Sequence, residues 1–218
     1  MDLSQFLRNI SIYAIPVLFA ITLHEVAHGW TARYFGDRTA ELLGRLSLNP
    51  LRHIDPVGTV LVPSILLAMG GLMFGWAKPV PVATAALRKP RLATVVVALA
   101  GPTANFVMAF VWALILAAVL HLRANETLDG WMVLMAQAGI LTNVLLGVFN
   151  LLPVPPLDGG RVLVALLPSR WGGRMEKIEP IGLFIVLGLS VLGMLGWLFE
   201  PAFRVVGRII NMLLSTRS

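Results

Sequence analysis

The sequence predicts an all-α polytopic membrane protein with about four to five transmembrane helices, a re-entrant or edge-strand segment, and a broken helix that carries a metal ligand. Three observations predict it. Hydrophobic residues make up 57% of the 218 residues and charged ones only 13%, and the mean hydropathy is +0.83, well above a soluble globular domain. Several apolar runs approach or exceed the ~18–20 residues that cross a bilayer as a helix, and no stretch of ordinary soluble composition separates them. Within the first run, His24, Glu25 and His28 place three ionisable groups in five positions, a costly arrangement in an apolar span and rarely one without a task. The expected organisation is one membrane-embedded domain over residues 1–218, with no internal repeat or low-complexity segment.

The net charge of +6 is scattered over short loops without a basic block or interleaved aromatics, so it reads as topology-setting charge and implies no nucleic-acid partner. With no cysteine, the chain has neither disulfides nor thiolate ligands, and any metal is held by nitrogen and oxygen. The N-terminal apolar run differs from a signal peptide. Met1 to Gln5 carries no basic residue, and cleavage near residue 22 would discard the chain just before the histidines.

The first span runs from about Ile10 to Thr31. Arg33, Arg38, Arg45 and Arg52 follow it, which by the positive-inside rule sets its C-terminal end toward the cytoplasm, in an inner (cytoplasmic) membrane. That end carries Leu23-His24-Glu25-Val26-Ala27-His28-Gly29. On a helix, residues four apart project within ~40° of each other one turn apart, so His24 and His28 form a stripe able to hold one metal ion. Glu25 lies roughly 60–100° to the side, where its carboxylate is free to act as a base. A catalytic zinc site usually takes a third protein ligand, which must come from elsewhere. A chance match to this motif arises in roughly one chain of this length in a few hundred. The alternative is a pair of hydrogen-bonded core histidines.

Residues 35–56 hold the turn signals Gly36-Asp37, Asn49-Pro50 and Asp55-Pro56 and predict a loop or short strands. Val57 to Gly75 is nearly long enough to span, but Pro63 and Gly70-Gly71 interrupt it, and a crossing would put Lys78, Arg88, Lys89 and Arg91 outside. A re-entrant excursion or a returning helix fits better. In Trp76-Ala77-Lys78-Pro79-Val80-Pro81-Val82 two prolines bar a helix and restrict any strand to an edge. Such an edge at membrane depth needs cover from protein or ligand, and it can pair with an extended peptide by strand addition. Trp76, Lys78, Pro79 and Val80 are therefore candidate substrate-binding residues, with a plain Pro-rich turn as the alternative.

The second clear span runs from about Leu92 to Leu122. Gly101 and its small neighbours allow close helix approach, Pro102 suggests a kink, and Asn105 can bond either a substrate or a neighbouring helix. The third begins near Trp131 and runs to Leu152, where Pro153, Pro155 and Pro156 end it and Gly159-Gly160 frees the backbone. This is a broken helix at membrane depth, of the kind that lines polar sites. Asp158 is the only carboxylate between Asp129 and Glu176. Counting ~15–19 residues into the first span and ~27 into the third puts the histidines and Asp158 in the inner half of the bilayer, which makes Asp158 the candidate third ligand. Capping the helix from Val162 to Leu167 is its alternative or additional role. Arg161, Arg170, Arg174 and Lys177 mark the inner side. The last span covers about Ile181 to Phe199. The tail from Phe203 to Leu214, with Arg204 and Arg208, fits either a short interfacial helix or a continuation of the bundle. His53 and His121 match no ligand spacing and read as surface or capping residues.

Taken together, the His-Glu-x-x-His motif and Asn150-x-x-Pro153-x-Pro155-x-x-Asp158-Gly159 resemble the site-2 protease family of intramembrane zinc metalloproteases, over most of the chain. Leu48-Asn49-Pro50 through Gly58-Thr59, Gly75-Trp76-Ala77-Lys78-Pro79-Val80-Pro81 and Gly101-Pro102 resemble its short prokaryotic members. The resemblance implies one Zn2+ per chain held by His24, His28 and Asp158, with Glu25 as general base and Asn150 holding the substrate backbone or oxyanion. It also implies that the edge from Trp76 to Val82 is presented to an unwound helix of a transmembrane protein substrate in the lipid bilayer. The expectation is a short member, with no PDZ-like insertion between the spans, no CBS-type domain after the last and no further helix before the His-Glu helix such as some relatives carry. The expected function is hydrolysis of peptide bonds in or near transmembrane helices. A metal-ion transporter using the same His/Glu/Asp cluster, or a catalytically silent membrane-embedded binding protein, are the alternatives.

Overall fold

The apolar runs dictate long helices, because a chain in lipid must satisfy its backbone groups internally. In a computed structural model, which describes residues 3–61, 78–122 and 126–215, these are α1 (Leu3–Tyr34), α2 (Thr39–Leu42), α3 (Pro90–Leu122), α4 (Glu126–Asn150), α5 (Asp158–Leu166), α6 (Ser169–Glu176), α7 (Glu179–Val191) and α8 (Met194–Ser215). Among the described residues three stretches are long and apolar enough to cross a membrane: Ile10–Tyr34, Pro90–Leu122 and Gly130–Asn150. Their outward faces are apolar as well, with Ile15, Phe19, Val107, Phe110 and Leu114 exposed, as befits side chains that meet lipid.

Helix α3 is the hub and packs against both α1 and α4. Trp112, Leu116 and Leu120, spaced four apart on α3, meet Ala136 and Ile140 of α4 and Val206 of α8. Gly139 lies under the Trp112 indole, where a Cβ would collide with the ring. Lipid is as apolar as these side chains, so close packing of this kind drives helix association here. A second cluster, Ala32 of α1 with Leu87, Ala93 and Val97, is packed by Phe35 and Val82 and seats the histidine-bearing end of α1 against the start of α3.

Several expectations are corrected. The stretch Ile181 to Phe199 is two helices divided at Leu192-Gly193, where Gly193 takes φ +72°, a conformation that glycine adopts without penalty. The tail continues α8, with Val206 in the core and Ile210 and Leu213 packed against it, so it belongs to the bundle. Residues 35–56, expected as a loop or short strands, are mainly loop and turn, interrupted by α2 and by a 3-10 turn at Pro50–Arg52. No strand forms among the described residues, the described part of the expected edge (78–82) included, because its N–H groups bond a side-chain oxygen and a loop carbonyl where a strand would need a neighbouring strand. Of the segment from Val57 to Gly75, Pro56–Leu61 forms a π-helical turn after Asp55; the rest, and Trp76, lie outside the described residues. His53 is buried, at 1% exposure, with Nε2 2.8 Å from the Ser47 carbonyl, because the loop after α2 closes over it.

Candidate active site

The inward turn of α1 points His24 and His28 at α3. The Nδ1 of His28 lies 2.7 Å from the Val97 carbonyl, which can only accept, so Nδ1 carries the proton and Nε2 presents a lone pair. The Nδ1 of His24 lies 2.6 Å from Asn105 Oδ1. Asn105 Nδ2 donates to the Ala20 carbonyl at 3.1 Å and to Asn143 Oδ1 at 3.0 Å, which assigns the amide oxygen to the histidine and fixes the same tautomer in His24. Asn143 donates onward to the Gly139 carbonyl at 2.9 Å. Both asparagines are fully buried, at 0% exposure.

Asp158 arrives from the other side. The prolines end the chain's helical run after α4, and the turn that follows is so tight that a Cβ at Gly159 would collide with the Leu151 carbonyl and one at Gly160 with Pro155 N. Leu157 stands at the N-cap of α5 and no side chain caps the helix, so the Asp158 carboxylate is not engaged in capping. It is buried, with Oδ2 3.2 Å from His24 Nε2 and 3.3 Å from His28 Nε2, and Oδ2 makes no hydrogen bond.

Three lone pairs therefore converge. The two Nε2 atoms are 3.1 Å apart, and in the neutral imidazoles neither has a proton to share. Three acceptors at this separation repel one another unless a proton or a metal ion lies between them. Tetrahedral coordination with bonds of about 2.0–2.1 Å places ligand atoms about 3.3–3.4 Å apart, and the observed edges of 3.1, 3.2 and 3.3 Å match one face of such a tetrahedron. Among the described residues the donor set is two imidazoles and a carboxylate, the three protein ligands that a catalytic zinc ion commonly takes. The space is kept by Gly101, where a Cβ would collide with both imidazoles.

Glu25 stays off this face. It is half-buried, and its Oε2 accepts the Val80 N–H at 2.7 Å. A cavity of about 340 Å³ opens beside His28, walled by Pro79 to Val82, Val97, Ala98, Arg161 and Val164. Behind that wall, Asp37 tethers the extended segment by accepting the Ala83 N–H at 2.6 Å. Burial pushes the Asp37 carboxyl up, but bonds from the Thr39 hydroxyl, the Thr39 N–H and the Ala83 N–H outweigh it and hold the group below its ordinary value.

Of the residues expected at the site, His24, His28 and Asp158 are brought together and Glu25 flanks them. Val80 lines the cavity from a buried position, Pro79 lines it while exposed, and Lys78 is exposed. Asn105 sits behind His24 with its amide fully engaged by protein, which is the neighbouring-helix role weighed for it. Asn150 ends α4, half-buried, with Nδ2 on the Leu146 carbonyl at 3.0 Å. Asn143 escaped the sequence reading. Its signal was a carboxamide within an apolar run, between Gln137 and Asn150, which in membranes marks interhelical bonding. Arg161 was read there only as a topology charge.

The chain matches peptidase family M50 over residues 12–124 and 117–193. It is 41% identical over 184 residues to the Bacillus subtilis (strain 168) protein named "Putative zinc metalloprotease YwhC", covering 82% of this chain and 80% of the relative. It is 34% identical over 188 residues to "Putative zinc metalloprotease Rip2" of Mycolicibacterium smegmatis, covering 85% and 69%. A 26% identity over 183 residues relates it to "Zinc metalloprotease MJ0392" of Methanocaldococcus jannaschii, covering 83% and 42%. No solved structure matches the chain at a significant level.

Proposed function

The chain belongs to peptidase family M50 and is a zinc metalloprotease of the membrane, and from that premise we propose that it hydrolyses peptide bonds in or near transmembrane helices of membrane-protein substrates, as an enzyme of regulated intramembrane proteolysis. The observation that carries this reading is the convergence of His24 Nε2, His28 Nε2 and Asp158 Oδ2 within 3.3 Å, with both histidines on a helix long and apolar enough to cross a membrane. One zinc ion per chain, when bound there, supplies a Lewis acid that lowers the pKa of water and polarises a peptide carbonyl.

The chain's own residues do the rest. Glu25, oriented by the Val80 N–H, takes the proton of the attacking water and returns it to the leaving amine. Asn105 and the Val97 carbonyl hold both imidazoles with Nε2 free. A helical peptide bond is shielded by its own hydrogen bonds, so the substrate must unwind locally, and the wall at Pro79 to Val82 offers backbone that offsets the lost bonds. Asn150, at the mouth of the broken helix, binds the substrate backbone with its remaining amide N–H. The arginines at 33, 38, 45, 52, 161, 170 and 174 gather after α1 and around the broken helix, which supports an inner-membrane protein with its site toward the cytoplasm.

The test is to incubate the detergent-purified protein with single-span peptides, comparing wild type with Glu25→Gln and measuring bound zinc in both. The expected result is cleavage by wild type only, with zinc near one per chain in each. Full activity in Glu25→Gln with zinc retained would remove the base assignment, and zinc flux in proteoliposomes without cleavage would favour transport.

A further inference from the structure

The extended segment at 78–83 has its hydrogen-bond donors already engaged. Lys78 N–H donates to the His53 carbonyl at 3.0 Å, Val80 N–H to Glu25 at 2.7 Å and Ala83 N–H to Asp37 at 2.6 Å, while Pro79 and Pro81 have no N–H at all. Among the described residues, only Val82 keeps an N–H in this stretch without a partner. The acceptors are the opposite case. Lys78 O is held by Arg45 Nη2 at 2.8 Å, but the carbonyls at 79–82 make no hydrogen bond among the described residues. This is the wall of the cavity beside His28.

An extended peptide laid along such a wall finds acceptors for its N–H groups and almost no donors for its carbonyls. Regular strand pairing needs both in alternation, and carbonyls left bare in a site shielded from water are penalised. The missing donors are present in the same cavity. Arg161 lines it from α5, three residues beyond Asp158 and so within ~60° of it around the helix. Its guanidinium presents five N–H donors in a planar fork and no acceptor. Its side chain is exposed, and among the described residues no carboxylate pairs with it. Glu179 also lines the cavity and works against an acidic substrate side chain there, which favours neutral carbonyls as the partner of Arg161.

We propose that Arg161 is a substrate-binding residue that donates to backbone carbonyls of the unwound substrate, supplying the donors that the proline-bearing wall at 79–82 lacks. The assignment rests on the proteolytic reading above. Backbone carbonyls are common to all peptides, so Arg161 acts whatever the charge of the neighbouring side chains.

The experiment uses the full-length protein in detergent and three single-span peptides that differ only in Glu, Gln or Lys beside the scissile bond. The kcat and KM of wild type, Arg161→Met and Arg161→Lys are determined together with bound zinc. Arg161→Met should lower kcat/KM by ~10–100-fold by the same factor on all three peptides, Arg161→Lys should recover part of it, and zinc should stay near the wild-type level. On wild type, a thioamide, a weaker acceptor, in place of the contacted amide should lower kcat/KM, and the same change should cost nothing further in Arg161→Met. A loss confined to the Glu peptide would overturn the proposal in favour of side-chain recognition. No loss, or loss of zinc in both variants, would overturn it as well. Wild type that binds zinc and cleaves none of the peptides would instead remove the proteolytic reading, a failure distinct from Arg161 variants that match an active wild type.

Discussion

Replacing Asn105 by alanine separates support of His24, the proposed metal ligand, from contact with substrate. The substitution removes the Oδ1 that lies 2.6 Å from His24 Nδ1, together with the two amide bonds to Ala20 and Asn143. His24 can then place its proton on Nε2, which takes that lone pair out of the site. Losing an outer partner of a metal-bound imidazole typically costs 10–100-fold in affinity, about 1.4–2.8 kcal/mol. That exceeds the ~1 kcal/mol of one ordinary hydrogen bond, because a buried tautomer is misassigned as well. Asn143→Ala leaves the Asn105–His24 contact in place and should weaken zinc binding only a few-fold. Competition with a chromophoric chelator on the detergent-purified protein measures both. Zinc affinity of Asn105→Ala within about two-fold of wild type, combined with a large fall in kcat/KM, would refute the support role and place Asn105 on the substrate.

Other outcomes follow from the same geometry. Gly101→Ala drives a Cβ into both imidazoles and should abolish zinc binding while the helical circular dichroism is kept; zinc retained in this variant would mean that α1 and α3 are not held as closely as described. Asp158→Ala removes the only carboxylate of the cluster and should lower zinc occupancy far below one per chain by metal analysis. Asp37→Ala should destabilise the protein by about 1–3 kcal/mol near neutral pH through lost bonds to Thr39 and Ala83. Since the folded carboxyl sits below its unfolded value of about 3.9, the wild type's advantage is fully present above that pH and is lost as pH falls through the folded value. Melting curves should show a constant gap between pH 5 and 8 that narrows below about pH 4; a gap unchanged down to pH 3 would contradict it.

The parts of the site that sequence reveals are those written locally. His24 and His28 share a helical stripe whose spacing is visible in five letters, and Asp158 stands out because three prolines break an apolar run just before it. Their support is not local. Asn105 lies 81 residues from His24 and 38 from Asn143, and the partner of His28 is a backbone carbonyl, to which no residue type gives a signature. The prolines at 79 and 81 mark an extended segment, but what anchors it is a set of side-chain oxygens from Glu25 and Asp37, which alternation of hydrophobicity cannot foretell. The stretch from Ile181 to Phe199 is apolar throughout, so hydropathy passes over the break at Gly193 that the backbone makes.

The most direct measurement is an anomalous difference map recorded at the zinc absorption edge from crystals of the purified protein. The account predicts a single peak per chain within about 2.0–2.2 Å of His24 Nε2, His28 Nε2 and an Asp158 carboxylate oxygen. A peak held by other residues, or none there in protein that retains zinc and activity, would contradict it.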